Sequence, residues 1–260
     1  MIDTFSLIFS LSRSGSTALF RALQLASGGA IAYEPDYGES WTTRDRLFQF
    51  YDGIRTHHIG VKHVWDPNGS PFVNTEHRSS LQSLQLAEKW CNVNKQVLQY
   101  SWDRILFVRR RGQLARTLSD FLGQQTELWG HAPKKPHSRQ ELVRYRQQIG
   151  ARTLAPVDLD VLAWYLINVP RLENELLMSS AGTRLRVVEY EQLFGSDIPA
   201  QERLQQFESI AAWLGFEFTA ARAAIESILA PDARYNDEAI FNRIPNIAEV
   251  KILADRIANA

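Results

Sequence analysis

Two kinds of segment alternate along the chain. Short apolar runs bounded by polar or glycine-containing turns are separated by longer stretches with apolar residues at helical spacing. The runs predict buried strands over 4–10, 29–33, 58–64, 104–109 and 184–190. The longer stretches predict helices over 16–26, over "RDRLFQFYDGI", over "TEHRSSLQSLQLAEKW" with Thr75 as its N-cap, and over 113–122, 158–179, 200–214 and 247–258. Strands alternating with helices predict an α/β fold: one domain over 1–260, built on a parallel β-sheet flanked by helices. The stretch 123–156 breaks the pattern. It holds "HAPKKPHSR" and then "QELVRYRQQ", whose apolar residues make no face wide enough for a core helix. A long polar excursion of this kind predicts a substrate-binding insertion or lid.

Composition narrows the function classes. At 260 residues and 45% hydrophobic content the chain can bury a sizeable core. Lys and Arg together number 29, as do Asp and Glu. With no net field to draw the protein to nucleic acid or a membrane surface, any basic site must be local. The one cysteine, Cys91, excludes an intramolecular disulfide and has no metal-ligand spacing around it, which fits a reducing, cytoplasmic setting. The N-terminal apolar run is shorter than the roughly 18 residues of a membrane span and has Asp3 where a signal peptide carries positive charge.

The chemistry begins at "SLSRSGSTALFRAL", residues 10–23. A strand, a turn containing Gly15 and a helix start together make an anion site, because unpaired amides and the positive end of the helix dipole converge there. Ser14, Ser16 and Thr17 add hydroxyl donors and Arg13 a charge. The loop is not a Walker A motif, since Gly15 is followed by Ser16 and Thr17 with no lysine, and no G-x-G-x-x-G is present. The strand over 104–109 ends in Arg109, Arg110 and Arg111, with no acid before Asp120 to hold a metal. Two anion sites at strand ends suggest a nucleotide with a phosphate at each end, held without a metal ion.

These residues resemble the sulfotransferases that use 3′-phosphoadenosine 5′-phosphosulfate (PAPS). "SRSGSTALF" resembles that family's 5′-phosphosulfate loop. "VRRRGQLARTLSDF" offers an arginine followed eight positions later by a serine, Arg111 and Ser119, in the manner of its 3′-phosphate motif; Arg109 with Thr117 has the same separation. The first pair is preferred, because Leu114, Leu118 and Phe121 leave Ser119 off the apolar stripe. "RVVEYEQLF", "RLQQFESIAAWLGFEF" and "RIPNIAEV" resemble later elements of the family, and "HIGVKHVW" leans toward its bacterial and carbohydrate-type branches. The family's proline or aspartate after the 3′-phosphate arginine is replaced by Gly112 and Gln113.

The resemblance implies a P-loop NTPase-like sulfotransferase fold and transfer of a sulfuryl group from PAPS to a hydroxyl of a carbohydrate, lipid or other small-molecule acceptor, releasing adenosine 3′,5′-bisphosphate (PAP). Arg13, helped by the amides of Gly15, Ser16 and Thr17, is placed at the bridging oxygen of the leaving nucleotide, and Lys62 reaches the same oxygens if its strand lies beside the first. Two residues compete as base: Glu34, in the Glu-Pro setting of "IAYEPDY", and His63, with His57, His58 and Asp36 behind them. Lys62 and His63 are adjacent, so on a strand they point to opposite faces. Trp41, Trp65 and Trp102 are candidates for lining an acceptor pocket or packing in the core. The rival readings are a nucleotide-binding module without catalysis and an atypical P-loop kinase.

Overall fold

The computed structural model describes residues 4–35, 43–65, 91–126, 139–180, 184–216, 222–230 and 238–260. Five strands form one sheet: β1 (Ser6–Leu11), β2 (Ile31–Tyr33), β3 (Gly60–Trp65), β4 (Arg104–Arg109) and β5 (Leu185–Glu189). All neighbours run parallel, in the order β2-β3-β1-β4-β5. The α/β expectation therefore holds. β1 lies at the centre and is buried along its whole length.

Side-chain alternation on the strands divides the core into two layers. Phe5, Leu7, Phe9, Ile105 and Phe107 face one side, where helices α3 (Gln113–Thr126), α5 (Leu159–Ser179) and α10 (Ile247–Ala258) cover them. Ile8, Leu106, Val108 and Val188 face the other, beneath α1 (Ser16–Ala26), α7 (Ala200–Leu214) and α8 (Arg222–Leu229). The chain leaves β1 between β3 on one side and β4 on the other. In open parallel sheets this junction forms a crevice at the carboxyl ends of the strands.

Local chemistry explains the element ends. Thr43 caps α2 (Arg44–Arg55) by accepting from the Arg46 amide at 3.3 Å. The Asp158 carboxylate accepts from the Asp160 and Val161 amides at 3.0 and 3.1 Å and starts α5. β2 is shorter than its apolar run predicts, because Gly28 and Gly29, at φ 67° and 88°, form the exit turn of α1, closed by the Gly29 amide on the Gln24 carbonyl. The helix predicted over "TEHRSSLQSLQLAEKW" lies outside the described residues, apart from the helical stretch 91–98 that follows it.

Part of the polar excursion belongs to the core. α3 runs on to Thr126, and α4 (Arg139–Gly150) buries Tyr145 and Ile149 against the first layer, so two apolar residues one turn apart suffice to dock it. Leu154 and Val157 are buried there too. Arg243 donates to the carbonyls of Ile149, Gly150 and Arg152 at 2.6, 2.8 and 3.1 Å, tying down the end of α4. The "HAPKKPH" segment lies outside the described residues. Among the described residues, no helix is long and apolar enough to cross a membrane.

Two tryptophans have clear places. Trp102 stacks on Phe5 at 5.0 Å and meets Tyr51 and Tyr100 edge-on at the amino end of the sheet, so it is a core residue remote from the strand mouths. Trp65 ends β3 with a buried indole N–H that has no hydrogen-bond partner among the described residues. Trp41 lies outside the described residues.

Candidate functional site

The loop after β1 is held open by backbone geometry. Arg13 and Gly15 both adopt left-handed conformations, at φ 62° and 76°. Gly15 is the N-cap of α1 and offers no side chain to the helix start, and no acid stands in the first turn. Among the described residues the N-cap thus supplies no carboxylate or hydroxyl to the first amides of α1, and the positive end of the helix suits an anion. Ser14 Oγ is buried in the same turn without a hydrogen-bond partner among the described residues. A buried hydroxyl of this kind costs stability unless something accepts its proton, so this donor fits an anionic oxygen. The Ser10 hydroxyl donates to Ser16 Oγ at 2.7 Å and fixes the entry of the helix against the strand.

Lys62 reaches this helix start from β3. Register pairs Ile8 with Lys62 and Phe9 with His63. Lys62 therefore lies on the α1 face, fully buried, with Nζ donating to Thr17 Oγ1 at 3.3 Å, forming an ion pair with Glu34, and lying 4.4 Å from the Tyr33 ring centroid. Glu34 follows β2 directly. Its amide donates to the Lys62 carbonyl at 2.8 Å, and its φ of 40° is a left-handed conformation that Pro35 makes still less favourable. Strain of this type at a strand mouth is retained where the surroundings hold it, here the ion pair and the sheet bond. Burial, and after it the charge of Glu34, push the Tyr33 hydroxyl up to about 12. Tyr33 is thus a neutral hydroxyl beside the charged pair.

His63 turns the other way. Its ring stacks on Phe9 at 5.4 Å, and its Nε2 lies 2.7 Å from Asn94 Oδ1 in the opposite layer. The structure brings Arg13, Ser14, Gly15, Ser16, Thr17, Lys62 and Glu34 to one strand mouth and separates His63 from them. His57 and His58 follow α2 near the amino end of β3, while Asp36 lies outside the described residues.

The second basic segment meets the loop through α3. Arg13 Nε donates to Ser119 Oγ at 2.9 Å, and the Ser12 hydroxyl donates to Asp120 Oδ1 at 2.9 Å. The three consecutive arginines fan out to different partners. Arg109 Nη2 lies 3.7 Å from Glu173 Oε2 on α5. Arg110 Nη1 donates to the Arg13 carbonyl at 3.3 Å, and its guanidinium lies 4.5 Å from the Tyr190 ring centroid. Arg111 is largely exposed and pairs with Glu189 at the end of β5. Ser119 thus meets Arg13, while Arg111 is engaged by a carboxylate. Thr117, the hydroxyl of the alternative pair, is fully buried and its Oγ1 has no hydrogen-bond partner among the described residues.

Beneath Arg109 lies a buried charged group that sequence reasoning missed. Arg116 and Glu173 are both fully buried, and among the described residues Arg116 Nε and Nη1 and both Glu173 oxygens have no hydrogen-bond partner. Burial raises the Glu173 carboxyl above the ordinary range, against the opposing pull of Arg116 and Arg109. Charged residues inside a helical pattern read as a solvated face, and only the packing of α3 on α5 reveals that these two point inward. Ser12 and Asp120 were missed for a different reason. Their contact joins residues 108 positions apart, and no local pattern marks it.

Among the described residues, the strand mouth therefore combines an uncapped helix start, the buried Ser14 hydroxyl, the cationic side chains of Arg13 and Lys62 and the carboxylate of Glu34. It can hold a tetrahedral oxyanion and place a carboxylate beside it. Compared with protein-family models, curated proteins and solved structures, the chain matches none.

Proposed function

We propose that the protein is a PAPS-dependent sulfotransferase acting on a hydroxyl of a carbohydrate, lipid or other small-molecule acceptor, with a P-loop-like sulfotransferase fold. The observation that carries the reading is the convergence of Arg13, Lys62, Thr17 and Glu34 on one strand mouth, with Ser119 drawn to Arg13. The buried Ser14 hydroxyl, in need of an acceptor, supports an anion at the same place.

In this reading the loop amides, Ser14, Ser16 and Thr17 hold the phosphosulfate, with Arg111 and Ser119 toward the 3′-phosphate and Arg109 behind them. The acceptor oxygen attacks sulfur in line, forming one S–O bond as the bond to the bridging oxygen breaks. Arg13 and Lys62 stabilise the charge that gathers on that oxygen, which leaves as part of PAP. Glu34 takes the acceptor proton. Lys62 stands between Thr17 and Glu34, so a sulfate oxygen that draws Nζ away from Glu34 frees the carboxylate to act as base.

A second reading, a nucleotide-binding module without catalysis, is favoured by the Lys62–Glu34 pair itself, since the ion pair occupies the carboxylate that would have to reach the acceptor hydroxyl. Thermal-shift comparison of PAP, PAPS, Mg-ATP and NAD tests the nucleotide. Stabilisation by PAP and PAPS, lost in Arg13→Ala and Ser119→Ala, is expected. Stabilisation by Mg-ATP above PAP would favour an atypical kinase and overturn the reading.

A further inference from the structure

The short helix α6 (Tyr190–Phe194) touches both basic turns at once. Its first residue reaches the loop after β1. A Cβ built on Gly15 would lie 2.3 Å from Tyr190 Cδ2 and 2.5 Å from Cε2, so the ring occupies the space that the glycine leaves. The same ring carries the Arg110 guanidinium, which donates to the Arg13 carbonyl. Phe194 stacks behind it at 5.0 Å and 26°, limiting its rotation. Both left-handed residues of the loop are thus braced by one side chain and its cation.

Glu191, the next residue, reaches the other turn. Its Oε2 accepts from the Arg111 amide at 3.1 Å and its Oε1 from the Gly112 amide at 3.0 Å, just before α3 begins. A carboxylate taking two successive amides fixes the turn between the arginine cluster and the helix that carries Ser119. One peptide bond separates the brace on the first turn from the brace on the second.

We propose that Tyr190 and Glu191 are positioning residues that hold the two turns at a fixed separation and so make the site selective for nucleotides bearing an anionic group at each end. The inference rests on the two-ended nucleotide reading given above. A ligand anchored at both turns gains from its second anchor only as far as the spacing is preset, because the second contact is then intramolecular. A ligand with one anionic end uses one turn and gains nothing from the spacing. Loosening the brace therefore costs the two-ended ligand selectively.

The test is calorimetric titration of the whole protein with PAP and with 5′-AMP, which lacks the 3′-phosphate, alongside the melting temperature without ligand. In Glu191→Ala, PAP affinity is expected to fall about tenfold or more while AMP affinity changes by less than about twofold. Glu191→Gln, which keeps one acceptor oxygen, is expected to lie between. Tyr190→Ala is expected to weaken both ligands through the 5′ loop, PAP by the larger factor, and Tyr190→Phe, which keeps the ring, to restore them. If PAP and AMP lose affinity by the same factor in both Glu191 variants, or lose none, the inference is overturned while the nucleotide reading stands. A wild-type protein that does not bind PAP overturns the nucleotide reading and the inference with it.

Discussion

Replacing Gly15 with alanine separates the geometry of the anion loop from its chemistry. The substitution adds one methyl group and removes no donor. Two costs follow. At φ 76° an L residue with a Cβ pays about 1–2 kcal/mol for the left-handed conformation. The new Cβ also meets Tyr190 carbons at 2.3 and 2.5 Å, well inside any real contact distance, and the ring is backed by Phe194. Overpacking of this kind costs about 1–3 kcal/mol. Together they predict a loss of about 2–5 kcal/mol, a drop in melting temperature of roughly 4–20 °C for a chain of this size. Urea unfolding of wild type, Gly15→Ala, Tyr190→Ala and the double variant measures it. In the Tyr190→Ala background the clash is gone, and Gly15→Ala should cost only the backbone part, about 1–2 kcal/mol. Equal costs in the two backgrounds would refute the contact between the loop and Tyr190.

Three further outcomes follow from the same site. Glu34→Gln removes the carboxylate facing fully buried Lys62 and should destabilise by about 3 kcal/mol, whereas the double variant Lys62→Met/Glu34→Gln should recover most of that loss, read by denaturant unfolding. Arg13→Ala should lower the rate of sulfuryl transfer about a hundredfold, as loss of one donor to a developing oxyanion does, with a smaller change in thermal stability. Glu173 has a raised carboxyl pKa in the folded state, so the folded protein holds its proton at pH values where the unfolded chain has lost it. The stability from this group is present below about 4.5 and declines as pH rises toward its folded value. The urea-unfolding midpoint of wild type relative to that of Glu173→Gln should fall as pH rises across that range.

Much of the scaffold was legible because it depends on periodicity. The runs that became β1, β3, β4 and β5 are short and apolar, and 16–26, 200–214 and 247–258 coincide with helices α1, α7 and α10. The opposite facing of Lys62 and His63 follows from strand alternation alone, and register then puts Lys62 beside α1. Long-range contact is what periodicity does not carry. Ser119 could be picked out as lying off the apolar stripe of α3, but its bond to Arg13 depends on how α3 crosses the loop. The separate fates of Arg109, Arg110 and Arg111 depend on α5, α6 and β5 together. Tyr190 and Glu191 stood in a quoted motif, yet their roles as braces depend on the bare face of Gly15 and on two backbone amides. In α4 the packing rests on two buried residues, Tyr145 and Ile149, too few to form a face that periodicity alone reveals.

The central claim is that the strand mouth transfers a sulfuryl group with Glu34 as base. Incubating wild type and Glu34→Gln with PAPS carrying a labelled sulfuryl group, over a panel of hydroxyl acceptors without added metal, tests it most directly. Labelled sulfate ester and stoichiometric PAP are expected from the wild type, and binding of PAP without transfer from the variant. Equal transfer by both proteins, or wild-type protein that binds PAP and sulfates no acceptor, would contradict it.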